Sequence, residues 1–180
     1  LSDRNVHLID DHVDVAVRIG ALPDSGLVAI RVGTVRHIVC GSPAYFASHW
    51  VPSEPAELSA MACVSFEGIA PTSSWGFADR NSRTLKPVAI SPRLSVNTAE
   101  AALDAAIAGL GLTRVLSYQA ARAVADGTLL VVLADFEPDP LPIHLVHAGQ
   151  GIAPLKLRAF LDFAAPRVRD RVAAAELAQK

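Results

Sequence analysis

Hydrophobic runs bounded by turn residues divide this chain into alternating strands and helices. Val13–Ile19 has little polar interruption, which predicts a strand covered on both faces. Leu27–Cys40 predicts two strands, or one long bent strand, with the break near Gly33. Shorter strands with turn residues between them are predicted at Cys63–Phe66, Trp75–Ala78, Leu85–Ile90, Arg93–Val96, Leu112–Leu116, Thr128–Leu133 and Ile143–His147.

Asn97 begins the clearest helix of the sequence. Glu100 lies three residues further on, which resembles a capping box with Asn97 as the cap. Gly109 and Gly111 permit the exit from this helix. The apolar positions between the two ends fall on one helical face and are Ala99, Ala102, Leu103, Ala106, Ile107 and Leu110. Helices that alternate with strands predict a parallel sheet, with the ligand site at the carboxyl ends of its strands.

Prolines and polar caps mark the other helices. Pro43 stands where a first helical turn follows Ser42. Pro166 is expected to break or kink the last helix, and Val168, Val172 and Leu177 suggest an exposed helical tail after it. The remaining predicted helices are Glu54–Met61 with Pro55 at its start, a helix capped by Ser117 that stops at Gly127, and a last helix from Pro154 that buries Leu155, Leu157, Phe160 and Leu161.

Three segments turn a strand end into a small polar opening: Asp14–Gly20, Gly41–Phe46 and Asn97–Gly111. Openings of this kind leave backbone N–H groups free to hold a small anionic or polar ligand. No G-x-S-x-G elbow surrounds Ser42, and Gly109–Gly111 is too short for a dinucleotide fingerprint. The chain is therefore predicted to bind a ligand and not to be an enzyme.

The histidines predict no metal centre. His144 and His147 lie on one predicted strand at odd spacing, so they should point to opposite faces. The other histidines are scattered and are expected in solvent; they are His7, His12, His37 and His49. We predict neither a metal nor a cofactor.

The composition predicts a soluble, folded chain whose net charge does not favour binding to nucleic acid. Hydrophobic residues make up 51% of the sequence and charged residues 19%, while the net charge is −2. Cys40 and Cys63 lie in apolar strands and are expected to be buried free thiols in a reducing cytoplasm. No apolar run approaches transmembrane length, and the first residues show no signal-peptide pattern.

An ordered set of segments resembles one protein family. The segments are DVAVRIG at 14–20, LVAIRVGTVRHIVCGSPAYF at 27–46, NTAEAALDAAIAGLGLTRVLSYQAARAVADGTLLVVL at 97–133, PLPIHLVH at 140–147 and LKLRAFLDF at 155–163. Their order and spacing resemble the C-terminal effector-binding domain of LysR-type transcriptional regulators over nearly the whole chain. The variant GLGLTRVLSYQ is similar to the large subgroup that often regulates divergently transcribed neighbouring genes.

The resemblance implies an α/β fold of the type 2 periplasmic-binding-protein class, with two Rossmann-like lobes joined by crossover strands. Residues 1–39 and 148–180 would form regulatory lobe I, and residues 40–147 would form lobe II. The crossovers would fall near Cys40–Pro43 and Leu145–Ala148. The N-terminal strand–helix unit of lobe I has no counterpart here, so lobe I is expected to be incomplete, with Ser2 and Asp3 capping its first helix.

The resemblance also implies that a small effector, anionic or polar, binds between the lobes. On the matching positions, the expected ligand-binding residues are Arg18, Ser42, Pro43, Phe66, Asn97, Thr98 and His147. Six of these seven also have a purely structural alternative. These alternatives are helix capping for Asn97 and Thr98, hinge geometry for Ser42 and Pro43, core packing for Phe66 and a surface or salt-bridged position for Arg18.

The implied function is effector sensing and oligomerisation for a DNA-binding transcriptional regulator of the cytoplasm. Family members form homo-oligomers, with dimers of regulatory domains inside tetramers. The helix Ala99–Leu110 and the first helix of lobe I are expected at that interface. The alternative is a solute-binding protein of a transport system, which shares the implied fold. An upstream helix-turn-helix would favour the regulator, and an upstream signal peptide would favour the transporter.

We expect this chain alone to show no sequence-specific binding to duplex DNA. The resemblance assigns DNA binding to an N-terminal winged helix-turn-helix without a counterpart in this sequence, and the net charge of −2 supplies no concentrated attraction for phosphates. A mobility-shift assay at physiological salt checks this. Submicromolar, sequence-selective binding would contradict it.

Overall fold

The computed structural model describes residues 13–22, 26–66, 73–149 and 154–177. These residues form two compact units, one within Leu1–Val35 and Pro140–Leu177 and the other within Arg36–Asp139. The predicted lobe boundaries at 39/40 and 147/148 stay predictions. The predicted first helix with Ser2 and Asp3, together with His7 and His12, lies outside the described residues.

The first unit is a three-stranded antiparallel sheet with one helix. β1 (Ala16–Ile19) and β2 (Leu27–Val35) pair on either side of β10 (Leu141–Ala148). α4 (Leu155–Leu177) packs against β2. All pairs in this sheet are antiparallel, so the predicted parallel sheet is wrong for this unit.

β2 runs unbroken through Gly33, where the sequence predicts a break. Pairing with β10 continues on both sides of Gly33, and a β-bulge shifts the register of the two strands between Ile143 and His144. A Cβ on Gly33 would lie 2.7 Å from Cγ1 of Val172 on α4, so glycine at this position lets the helix approach the sheet. The break falls instead at Arg36, before the next strand.

α4 continues through Pro166, contrary to the predicted break. Proline contributes no N–H to the helical hydrogen bonds. The carbonyl that loses its helical N–H partner is that of Asp162, four residues before Pro166, and the helix continues on both sides of it. Val168 and Val172 therefore belong to the same helix, and both are half-buried.

The buried stripe of α4 is narrower than the prediction. Leu157 and Leu161 are buried as predicted, but Leu155 is 76% exposed and Phe160 50% exposed. Leu157 and Leu161 are four residues apart and share one face, whereas the turn of the helix carries the other two away from it. None of the described helices, α4 included, is long and apolar enough to cross a membrane.

The second unit contains seven described strands, which are β3 (His37–Gly41), β4 (Ala62–Phe66), β5 (Ser74–Ala78), β6 (Leu85–Ala89), β7 (Ser91–Val96), β8 (Leu112–Leu116) and β9 (Leu130–Val132). They form a five-stranded mixed sheet of order β7-β4-β8-β3-β9 and a separate two-stranded sheet, β5-β6. β4 is parallel to β7 and β8, whereas β3 is antiparallel to β8 and β9, so the parallel prediction is correct for three strands. The helices are α1 (Pro43–Phe46), α2 (Ala99–Ile107), α3 (Ser117–Ala125) and two 3₁₀ helices, Pro55–Ala60 and Ala134–Phe136.

Different residues cover the two faces of the five-stranded sheet. On the helix face, Ile38, Cys40 and Val115 pack with buried residues of α2 and α3. The hairpin face packs against β5 and β6, and its cluster includes Val39, Cys63, Leu112, Val132, Trp75 and Phe77. Cys40 and Cys63 are buried free thiols, as predicted, and burial raises the pKa of each to about 12.

The sequence predicts Asn97 as the cap of α2, and this is wrong because Thr98 is the cap. The Thr98 hydroxyl accepts the N–H of Ala101 at 3.2 Å, so the helix begins one residue later than expected. Four of the six predicted apolar positions are buried, namely Ala99, Ala102, Leu103 and Ala106. Ile107 is 39% exposed, and Leu110 lies beyond the helix.

We expect Gly111→Ala to destabilise the second unit by about 3 kcal/mol or more. Gly111 has a φ of +157°, and a Cβ there would lie 2.3 Å from the carbonyl oxygen of Ala62. Gly127→Ala is the matched control, because Gly127 has a φ of +70° and open space around it. That control should cost about 1 kcal/mol. Urea unfolding measures both changes, and equal losses would contradict the packing argument.

Candidate functional site

Three parallel strands end together at one end of the second unit's sheet. Phe66, the last residue of β4, pairs with Val96, the last residue of β7. Asn97 and Thr98 follow Val96 directly, and both are exposed. Phe66 is half-buried and packs against the helix-face cluster. The structure therefore brings Phe66, Asn97 and Thr98 to the same place, which we call the carboxyl end.

α3 also begins at the carboxyl end, directly after β8. Ser117 is its first residue and does not cap it, contrary to the prediction. The Ser117 hydroxyl accepts the N–H of Arg36 at 3.2 Å, and the Ser117 N–H donates to the Arg36 carbonyl at 2.8 Å. The N-termini of α2 and α3 thus lie at one end of the sheet, and each carries a partial positive charge.

A half-buried ion pair joins the first and last segments of the second unit. Arg36 Nη1 lies 2.6 Å from Glu137 Oε2, and the Glu137 side chain is 10% exposed. Glu137 Oε1 is buried without a hydrogen-bond partner among the described residues. Burial raises the pKa of Glu137, and the Arg36 charge acts in the opposite direction. No local pattern in the sequence links these two residues, which are 101 positions apart.

His37 is half-buried, so the expectation that it lies in solvent is wrong. It is the first residue of β3 and pairs with Leu116, the last residue of β8. Burial, with a smaller contribution from the positive charge of Arg114, lowers the pKa of His37 to about 4. The imidazole is therefore neutral at pH 7.

Ser42 and Pro43 lie at the opposite end of the sheet. β3 is antiparallel to β8, so β3 ends beside the start of β8. The Ser42 hydroxyl accepts the N–H of Tyr45 at 3.3 Å, and Pro43 is the first residue of α1. Ser42 Oγ lies 3.8 Å from where a Cβ on Gly109 would stand, just beyond the C-terminus of α2. Since α2 is about 14 Å long, the structure does not bring these residues together with Thr98, which caps its other end.

Arg18 and His147 both belong to the first unit, but they do not lie together. Arg18 pairs with His144 on β10, and His147 is three positions further along that strand. Because the side chains of a strand alternate, Arg18 and His147 face opposite sides of the sheet, about 10 Å apart along it. His147 is 7% exposed, and its Nδ1 lies 3.0 Å from the carbonyl oxygen of Ala148. The single cavity predicted for residues of both units stays a prediction.

No group of three or more possible metal ligands occurs within the part of the chain that the structure describes. The carboxyl end offers hydrogen-bonding groups. It combines two helix N-termini, exposed Asn97 and Thr98 and the aromatic ring of Phe66. This combination suits hydrogen bonding to a small polar or anionic molecule.

Sequence comparison relates this chain to transcriptional regulators. Residues 2–169 match the family model described as LysR substrate binding domain. The HTH-type transcriptional regulator CrgA of Neisseria meningitidis serogroup C (strain 8013) is 31% identical over 163 residues, which cover 90% of this chain and 54% of CrgA. The probable HTH-type transcriptional regulator LtrA of Klebsiella pneumoniae is 30% identical over 166 residues, covering 91% of this chain and 53% of LtrA. The chain thus spans about half the length of these relatives.

Solved structures show the same fold. The regulatory domain of CrgA from Neisseria meningitidis is 30% identical with a TM-score of 0.75, covering 89% of this chain and 78% of that domain. The regulatory domain of AphB in Vibrio vulnificus is 25% identical with a TM-score of 0.73, covering 87% of this chain and 76% of that domain. LysR regulatory domains have the two-lobe periplasmic-binding-protein-like fold, which confirms the predicted fold class.

We expect His37 to make the free energy of unfolding depend on pH. Its folded pKa of about 4 lies below the ordinary value of 6.5, so the unfolded chain takes up the proton first. Stability should therefore fall as the pH drops from about 6.5 to about 4, by up to about 3 kcal/mol. Urea unfolding of the wild type and His37→Gln across that range measures the effect. The variant should lose most of this decline, and identical pH profiles would contradict the assignment.

Proposed function

The chain belongs to the LysR substrate binding domain family, and on that premise we propose that it senses a small-molecule effector for a transcriptional regulator. One observation carries the proposal: β4, β7 and β8 end together at the point where α2 and α3 begin. Ligands of α/β proteins bind at the carboxyl ends of parallel strands. Helix N-termini there favour a polar or anionic group.

The proposed contacts of the second unit are Phe66, Asn97 and Thr98. Ser42 and Pro43 are left out of this set, because they serve α1 at the opposite end of the sheet. In the first unit, Arg18 and His147 remain proposed contacts, and each would act on its own face of the sheet. Arg18 would supply positive charge, and His147 would supply a hydrogen-bonding ring nitrogen.

Effector binding would act by shifting a conformational equilibrium. A ligand that binds one arrangement of the regulatory domain more tightly than another changes the populations of the two arrangements. A DNA-binding domain linked to the regulatory domain would respond to that change. We assign DNA binding to a part of a longer cytoplasmic protein outside this chain, since the chain spans about half of its relatives. The relatives named above are regulators, so they lend no support to the transport alternative.

Self-association is also part of the proposal, as dimers of regulatory domains within tetramers of the full-length protein. The apolar face of α2 is not available for such contacts, because Ala99, Ala102, Leu103 and Ala106 are buried in the unit's own core. An interface on α2 would use the opposite side of the helix. That side exposes Glu100, Asp104 and Ile107.

We expect an effector to stabilise the chain and to depend on Asn97 for affinity. At a hundredfold excess over its dissociation constant, one ligand adds about 2.7 kcal/mol to the free energy of unfolding, which a thermal-shift screen of metabolites detects. Asn97→Ala should weaken that ligand about tenfold by removing one hydrogen bond. The free energy of unfolding of Asn97→Ala without ligand should equal that of the wild type, because Thr98 and not Asn97 caps α2. Thr98→Val should in addition lose about 1 kcal/mol of stability with the cap.

The matched control is Asn81→Ala, since Asn81 is also an exposed asparagine and lies in the turn after β5. It should bind the effector as the wild type does, measured by calorimetry. Equal affinities for Asn97→Ala and Asn81→Ala would contradict the proposed site. Failure of every screened metabolite to stabilise the chain would contradict the proposed function.

A further inference from the structure

A row of polar side chains crosses the apolar hairpin face of the second unit's sheet. Ser95 on β7 pairs with Ser65 on β4. On the other side of β4, Val64 pairs with Thr113 of β8 in parallel, so the next residues, Ser65 and Arg114, are also neighbours. Neighbouring positions on adjacent strands place their side chains on the same face. Ser95, Ser65 and Arg114 therefore stand side by side.

The packing of β3 identifies the face on which Arg114 lies. Arg114 pairs with Val39, which belongs to the hairpin-face cluster. The next residue, Val115, belongs to the helix-face cluster, as strand alternation requires. His37 lies two positions before Val39 and hence on the same face, near enough to Arg114 for the arginine charge to lower its pKa.

Arg114 has no ionic partner within the described part of the chain. The side chain is half-buried, and burial alone lowers its pKa, with no carboxylate acting against it. The ion pairs of the described residues involve other arginines and lysines. Arg36 provides the comparison, because this half-buried cation at the carboxyl end is paired with Glu137. Partial burial of an unpaired cation is costly, and an anion bound beside it removes that cost.

We propose that Arg114 binds the carboxylate of the effector, with the hydroxyl of Ser95 as a neutral hydrogen-bonding neighbour. The guanidinium presents two parallel N–H donors that match a carboxylate. The effector class is therefore a carboxylate. This inference rests on the proposed function and names the chemistry of its ligand.

The test compares Arg114→Met with the wild type and with Arg122→Met. Methionine keeps an apolar stem and removes the charge, while Arg122 is a surface arginine of α3 whose side chain is 95% exposed. Urea unfolding of the 180-residue chain is followed at pH 7.5 and constant ionic strength in acetate, benzoate, phosphate, sulfate or chloride. The metabolite screen described above is run in parallel on all three proteins.

A carboxylate should raise the free energy of unfolding of the wild type and of Arg122→Met in a way that saturates with concentration. The apparent affinity of that carboxylate should be at least tenfold lower for Arg114→Met. Without added anion, Arg114→Met should be at least as stable as the wild type, because no ionic partner is lost. If Arg114→Met fails to fold, Arg114 has a structural role and the inference is overturned. Arg114→Gln then checks that result, since it keeps hydrogen-bond donors without the charge.

The other outcomes separate this inference from the proposed function. An equal carboxylate response in Arg114→Met and the wild type places the anion elsewhere and overturns the role of Arg114 alone. Stabilisation by phosphate and sulfate without carboxylates overturns the ligand class. If only uncharged metabolites stabilise the wild type, the proposed function stands and the Arg114 inference fails. If nothing stabilises it, both fail.

Discussion

Parallel pairing of β4 with β7 and β8 is the constraint on which the rest of the second unit depends. Strands that run the same way must be joined by crossover connections, so the polypeptide returns through α2 between β7 and β8. The small side chains of Ala99, Ala102 and Ala106 are buried and let α2 pack closely on the sheet. Strand ends and helix starts thereby gather at one end, and polar side chains placed there can act on one ligand.

Local patterns predicted the elements of this chain better than their arrangement. The strand Leu112–Leu116 agrees with the structure at both ends, because glycine before it and serine after it bound the apolar run. The cap of α2 was displaced by one residue, since Asn97 and Thr98 are both good caps and sequence alone cannot choose between them. The reversed direction of β3, which moves Ser42 away from Thr98, depends on pairing with β8, more than 70 residues later.

The environments of the two half-buried arginines likewise depend on pairings that the local sequence does not reveal. Arg36 and Arg114 are both half-buried, yet among the described residues only Arg36 is paired with a carboxylate, that of Glu137. His37, expected in solvent, is instead covered and neutral beside Arg114. The second unit therefore holds one paired arginine, Arg36, and one half-buried arginine, Arg114, that lacks an anion among the described residues. In the proposed site, Arg114 would select for a negatively charged ligand.

The most direct test of this account is backbone amide chemical-shift mapping of the ¹⁵N-labelled chain, titrated with the metabolite that stabilises it. The largest shifts should fall on Asn97, Thr98 and Ala99 at the start of α2 and on Ser117 at the start of α3. The amides of Tyr45 and Phe46 in α1, at the opposite end of the sheet, should stay unchanged. Large shifts in α1 with none at the start of α2 would contradict a ligand site at the carboxyl end.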